Sequence, residues 1–215
     1  MNNFSIGIPT INRWDLLKES VQRYVHDFPN TDIHIYDNGK QDIPEQINGK
    51  DIFVYGGEGK NIGVAGAWNF LLDRIFESGK EYGIVLNDDI YLGRTEYQMG
   101  EFIRSNRYDL YVNPIDWCIF IMPKPTFDTV GRFDEAFFPA YCEDIDYHYR
   151  CRLMVKSYQR FPFLLPAVHR NSQTLEKDPK QFHKAFHNNK EYYKKKWGGY
   201  PEEETFKIPF NGNKL

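Results

Sequence analysis

The stretch Ile84-Val85-Leu86-Asn87-Asp88-Asp89-Ile90 decides how this chain reads. An apolar run stops at two adjacent carboxylates and resumes with Ile90-Tyr91-Leu92. Unpaired charges are costly inside a buried strand, so the pair belongs at a strand's end. Carboxylates at the carboxyl end of a central strand stand where open α/β sheets bind ligands, and they suit a hard divalent cation. A solvated turn between two strands carries the same residues, so the flanking sequence has to choose.

Upstream, the chain alternates strand and helix. Phe4-Ser5-Ile6-Gly7-Ile8 predicts a first strand, ended by Pro9-Thr10. Asp15 is placed to cap a helix through Leu16, Leu17, Val21, Tyr24 and Val25, whose spacing follows a 3.6-residue period. A second strand over Thr31 to Tyr36 meets the turn Asp37-Asn38-Gly39, and a third, Asp51 to Tyr55, meets a glycine-rich loop. That loop, Gly56 to Gly63, matches neither GxxxxGK[ST] nor GxGxxG, which disfavours the two common nucleotide-binding folds built on them. A helix from Val64 to about Ser78 leads into the strand Tyr82 to Leu86.

Downstream the alternation loosens. Thr95 to Asn106 reads as a helix, and Leu110 to Met122, broken by Pro114 and Pro123, as mixed or antiparallel strands. A loop, Gly131 to Phe138, precedes a second acidic centre at Glu143-Asp144-Ile145-Asp146. Carboxylates in a helix's first turn are favoured by the macrodipole, and they are also candidates for proton transfer. Asp146 and Arg150 form an i,i+4 pair expected to be structural, which gives Asp144 and Asp146 different jobs. Phe161 to Val168 predicts a late strand ending at His169, and Pro179 to Trp197 a final helix. Its His183 and His187 have zinc-compatible spacing without a third ligand, and Lys194-Lys195-Lys196 reads as a solvated helix end. The tail, residues 201–215, reads as an arm or linker, and the chain as a domain that can be cut from a longer one.

The totals narrow the class. At 215 residues one domain can bury a core without metals or disulfides. A net charge of −3 and a pI near 6.1 give no general attraction to nucleic acid or an anionic membrane. Three cysteines without CxxC spacing indicate neither a disulfide framework nor a zinc site, so a soluble, cytoplasmic protein is expected. No apolar run approaches the roughly 18 residues of a spanning helix.

Several motifs coincide in order. Pro9-Thr10-Ile11-Asn12-Arg13 resembles a PTYNR opening, Asp37-Asn38-Gly39 a DNGS turn, and Asn61 to Asn69 the pattern NxGxAGxxN. Asn87-Asp88-Asp89 stands at a DXD position, followed by Gly131-Arg132-Phe133-Asp134-Glu135, Glu143-Asp144-Ile145-Asp146, and His169 with Ser172. Together, over residues 4 to 199, they resemble the family 2 inverting glycosyltransferases of the GT-A fold, in particular rhamnosyltransferase-type members and the N-terminal domain of a large virus-encoded protein.

The resemblance implies an α/β fold, a Rossmann-like, mostly parallel central sheet flanked by helices, with a smaller mixed or antiparallel acceptor-side part. One domain would span 1–200, with a nucleotide-binding half at 1–95 and an acceptor-side half at 96–200. It implies Mn²⁺ or Mg²⁺ held by Asp89 and His169, with Asp88 near the ribose or a metal-bound water. Pro9, Thr10, Asn12, Arg13 and Asp37 would hold the nucleoside of a UDP-sugar, and Asn61 and Gly66 would line the donor site. Asp144 is the candidate base towards a saccharide acceptor, with Glu143 the alternative. One departure is Asn87, where a literal DXD has its first aspartate. A sugar nucleotidyltransferase and a non-catalytic nucleotide- or glycan-binding module are the competing readings. The first is disfavoured by the lack of a basic glycine-rich loop after the first strand, the second by retention of both acidic pairs.

Overall fold

The computed structural model describes residues 2–106, 109–112, 117–156, 158–162, 167–169 and 179–213, with backbone alone at 160–162, 167–169 and 179–182. The chain opens with β1 (Phe4–Thr10), α1 (Trp14–Asp27) and β2 (Ile33–Asp37). A small hairpin, β3 (Gln46–Ile47) and β4 (Lys50–Asp51), precedes β5 (Phe53–Gly56), α2 (Gly63–Glu77) and β6 (Tyr82–Leu86). Next come β7 (Ile90–Leu92), α3 (Glu96–Ser105), β8 (Leu110–Val112), β9 (Ile119–Pro123), α4 (Lys124–Val130) and α5 (Glu143–Met154). The chain continues through β10 (Arg160–Pro162), β11 (Ala167–His169) and α6 (Pro179–Trp197) to a short 3₁₀ turn, Pro209–Gly212.

Seven strands form one sheet in the order β10-β8-β9-β6-β1-β2-β5. Only β9 runs against the others, pairing antiparallel with both β6 and β8. The two-residue period of a strand sorts the core onto two faces. Ile84 and Leu86 join Ile6, Ile8, Leu17, Val21 and Tyr24 on one face, while Val85 joins Trp68, Leu72, Phe120 and Tyr147 on the other. Helix α2 lies tight against the sheet because two strand positions lack side chains. A Cβ on Gly7 would stand 3.2 Å from the Leu71 Cβ, and one on Gly83 only 2.6 Å from the Leu72 Cδ2.

The expected α/β architecture is the one observed, with several local differences. Helix α1 begins at Trp14, so Asp15 sits in its first turn, and Arg13 occupies the cap position without a side-chain bond. Helix α4 was not expected after the break read at Pro123; it starts directly behind that proline and carries Pro125 in its first turn, where proline is tolerated because the amide lacks a partner anyway. The late strand is two strands in different sheets, β10 beside β8 and β11 antiparallel to β7. The lysine run is not uniformly solvated. Lys194 and Lys195 are exposed, but Lys196 is 5% exposed and its Nζ meets Asp134 (2.7 Å) and Asp146 (2.5 Å). A helix turns 100° per residue, so the third lysine faces inward. The three cysteines are free and buried. Residues beyond Trp197 fold back: Thr205 N and Phe206 N donate to Trp197 O, and Tyr149 Oη donates to Phe206 O. Among the described residues no helix is long and apolar enough to cross a membrane.

Candidate active site

The chain lays β1, β2 and β5 side by side in one direction, then returns through α2 to place β6 on the other side of β1. Loops from the ends of β1 and β6 therefore diverge, and the crevice between them is where such sheets bind ligands. Thr10, the last residue of β1, donates its hydroxyl to Asp88 Oδ2 across this crevice at 2.8 Å. Asp88 and Asp89 are 8% and 7% exposed. Burial pushes the Asp88 carboxyl up to about 6; the neighbouring Asp89 adds to this, while Thr10 and Arg13 pull it back.

The adjacent loops are tied to Thr10 by backbone. Its carbonyl accepts from Asn38 N (2.8 Å), and Asn38 in turn accepts from Ile62 N (2.9 Å) and donates to Gly63 O (3.4 Å). Asn12 adopts a left-handed conformation (φ 53°), its Oδ1 accepting from Lys40 N at 3.3 Å. Arg13 is buried, and its Nε meets Asp15 at 3.2 Å. Asp37 is committed within its own loop: Oδ1 accepts from Gly39 N and Gln41 Nε2, and Oδ2 from Gln41 N, all at 2.8 Å. Asn61 is exposed and accepts from Gly63 N at 2.8 Å, shaping the start of α2. Gly66 is buried, and a Cβ there would come within 3.2 Å of Ile62.

The second acidic centre joins the same edge through the N-terminus of α2. Val64 N donates to Pro139 O at 2.8 Å, and Gly63, at φ 77°, leaves room for that carbonyl and the Phe138 ring. Asn69 holds the start of this loop. Its amide is fully buried, accepts from Phe133 N (2.7 Å) and donates to Phe133 O (2.9 Å) and Glu135 Oε1 (2.8 Å). Its partners lie about 65 residues away in sequence, so only the repeated asparagine of NxGxAGxxN hints at the role.

The loop ends in two consecutive left-handed residues, Tyr141 (φ 82°) and Cys142 (φ 72°). For side chains of this kind such backbone costs on the order of 1–3 kcal/mol each and persists only where the surroundings impose it. Glu143 and Asp144 follow at once as the first residues of α5. They are not equivalent. Glu143 is 5% exposed and its Oε2 is buried without a hydrogen-bond partner, whereas Asp144 is partly exposed. Burial raises the Glu143 carboxyl well above its ordinary value, and the charges of Asp144 and Asp146 add to the shift. Asp146, as expected, is structural: it is fully buried and receives Arg150 Nε (2.9 Å) and Trp197 Nε1 (2.8 Å).

The donor set fits a substrate-completed cation site. Two adjacent carboxylates supply hard oxygens, and small divalent ions are commonly held by one or two carboxylates plus phosphates and water. Among the described residues no three acidic, histidine or cysteine side chains form a closed cage. The backbone of His169 lies opposite Ile90, the residue after Asp89; the His169 side chain and Ser172 lie outside the described residues. Trp68 and Trp117 stack on one another within the core (6.5 Å), while Tyr141 meets Phe186 edge-on at 5.5 Å. A separate open groove, lined by Glu19, Arg23, Asp27 and Tyr91, has its carboxylates engaged by its own residues.

No protein-family profile matches the sequence, and no curated protein matches it in sequence. Solved structures do match in fold. TarS from S. aureus superposes with a TM-score of 0.55 at 14% identity, over 86% of this chain and 38% of that one. The mannosyltransferase PcManGT from Pyrobaculum calidifontis, solved with GDP-Man and Mn²⁺, gives 0.54 at 12% identity, over 74% of this chain and 54% of that one. A Bacillus anthracis protein described as a glucose-1-phosphate thymidylyltransferase, solved with sucrose, gives 0.51 at 11%, over 83% and 94%. The chain thus spans well under two thirds of the first two, and what the likeness establishes is the fold: a GT-A-like α/β domain with a mostly parallel sheet.

Proposed function

We propose that this chain is a divalent-cation-dependent, inverting glycosyltransferase that moves a hexose or deoxyhexose from a nucleotide-sugar, a UDP-sugar by preference, to a saccharide acceptor. The observation that carries this reading is the path of hydrogen bonds from Asp88 through Thr10, Asn38 and the Gly63-Val64 peptide to Pro139, in the loop that presents Glu143 and Asp144. It joins two acidic centres of unlike environment at one sheet edge. A fold neighbour named as a mannosyltransferase supports it.

In this reading residues 1–95 hold the donor and 96–200 the acceptor. Thr10, Asn12 and Arg13 face the nucleoside, and Asp37 shapes the base pocket through Gly39 and Gln41, which a base must displace to reach its carboxylate. Asp89, supported by Asp88 and joined by His169, would hold Mn²⁺ or Mg²⁺, which would supply Lewis-acid neutralisation of the leaving diphosphate. The acceptor hydroxyl gives its proton to Asp144 while its oxygen bonds to the anomeric carbon, and the bond to the diphosphate breaks on the opposite face. Asp144 suits this role because it is partly exposed, whereas Glu143 is buried and inclined to keep its proton.

A sugar nucleotidyltransferase shares the fold and is the reading to separate. It would release pyrophosphate, and β1 is joined to α1 by residues 11–13 alone, which leaves no room for a basic phosphate loop there. The deciding experiment is nucleoside diphosphate release from UDP-, GDP- and dTDP-sugars with Mn²⁺. Turnover is expected for one donor class, with D89A and D144N each losing roughly 10²–10⁴-fold. Unchanged turnover in both variants would sink the proposal.

A further inference from the structure

We propose that Asn189, on α6, is a positioning residue for Asp144; the inference rests on the glycosyl-transfer reading above. The Asn189 side chain is 4% exposed, and its amide nitrogen donates to both Ala140 O (2.7 Å) and Tyr141 O (3.1 Å). These are the carbonyls on either side of the first left-handed residue. Cys142, the second, occupies the cap of α5 and offers no side-chain bond to the helix. The direction in which α5 starts, and hence where Asp144 points one residue into the helix, is therefore set by the backbone at 141 and 142. Asn189 is a buried donor that fixes that backbone from outside the loop.

Helix α6 carries the rest of the clamp on the same face. Asn189, Tyr192 and Lys196 stand at i, i+3 and i+7, spacing that aligns side chains along one side of a helix. Tyr192 Oη and Lys196 Nζ both reach Asp134 Oδ2, at 3.0 and 2.7 Å, and Lys196 also reaches Asp146. Lys196 and Trp197 thus anchor α5 at Asp146, two residues beyond Asp144, without Asn189. Loss of Asn189 should therefore release the turn that aims Asp144 while the helix stays docked.

The test compares N189A and the isosteric N189D with wild type in nucleoside diphosphate release, using the donor that wild type turns over fastest, and in UDP binding with Mn²⁺. A small misplacement of a reacting group costs up to about 10²-fold, so kcat should fall roughly 10- to 100-fold with donor KM and UDP affinity within about twofold. N189D presents a carboxylate to two carbonyls, and its activity relative to wild type should recover as pH falls and the introduced carboxyl regains a proton it can donate. K196M serves as the structural comparison, lowering Tm. Wild-type kcat in both Asn189 variants, or joint loss of kcat, donor KM and Tm as in K196M, would overturn the inference. An active wild type, inactive D144N and unimpaired N189A would overturn it alone, whereas a wild type inactive with every donor would overturn the reaction and the inference together.

Discussion

The two acidic pairs, Asp88-Asp89 and Glu143-Asp144, occupy one edge of the sheet but are held there by different means. The first ends a central strand, and its nearest support, Thr10, ends the neighbouring parallel strand, so sheet register alone brings the two together. The second begins a helix after strained backbone, and its support comes from helices distant in sequence, with α2 holding the loop's start and α6 its end. The first pair is therefore rigid by architecture, while the second depends on tertiary contacts that a single substitution can remove. In the proposed transferase that division would be useful: the donor needs a preformed cradle, and the base must be aimed at an acceptor on an adaptable side.

Three substitutions sharpen the contrast. The largest effect is expected for K196M. It removes one of the two cations at buried Asp146, where Arg150 remains, together with the cation at half-buried Asp134; losing one partner of such a network costs up to about 3–5 kcal/mol, or roughly 10 °C in Tm for a chain this size. Thermal unfolding of wild type and variant checks this, and an unchanged Tm would mean that α6 does not splint the second centre. T10V comes next. It leaves Asp88 Oδ2 without its donor, which should cost on the order of 1–3 kcal/mol while the sheet register survives. If T10V also disturbed proton transfer at constant donor KM, the two centres would not be separable.

The smallest effect is a slope with pH. Glu143 is held above its ordinary range by burial, so below that range folded and unfolded chains carry the same proton. As pH rises past the ordinary carboxyl value the unfolded chain releases the proton and the folded chain keeps it, so stability falls until the folded carboxyl also ionises. E143Q, which cannot ionise, should match wild type near pH 4 and gain on it steadily toward neutrality in denaturant midpoints. A difference independent of pH would mean that Glu143 is charged in the folded chain.

What the sequence made legible follows the same division. The strand Tyr82–Leu86, helix α6 and the approximate span of α2 are local signals, a buried run or a 3.6-residue period, and they stand where the pattern places them. Asp88 and Asp89 are legible for the same reason, because a strand's end is marked by the residues themselves. Asn189 and Lys196 were not. Nothing in Asn188-Asn189 or in three consecutive lysines says which member faces inward, since that depends on where α6 lands against α5. Helix α4 was hidden by prolines that break a helix's interior but suit its first turn. The left-handed pair Tyr141-Cys142 was equally unreadable, because neither residue type favours that backbone and only the packing around them enforces it.

In the proposed reaction the first acidic pair holds the donor and the second transfers the proton. Calorimetric titration of UDP with Mn²⁺ into wild type, D89A and D144N tests it most directly. D144N is expected to bind as wild type does, and D89A to lose the Mn²⁺-dependent part of the affinity. Undiminished Mn²⁺-dependent binding by D89A, or weakened binding by D144N, would contradict it.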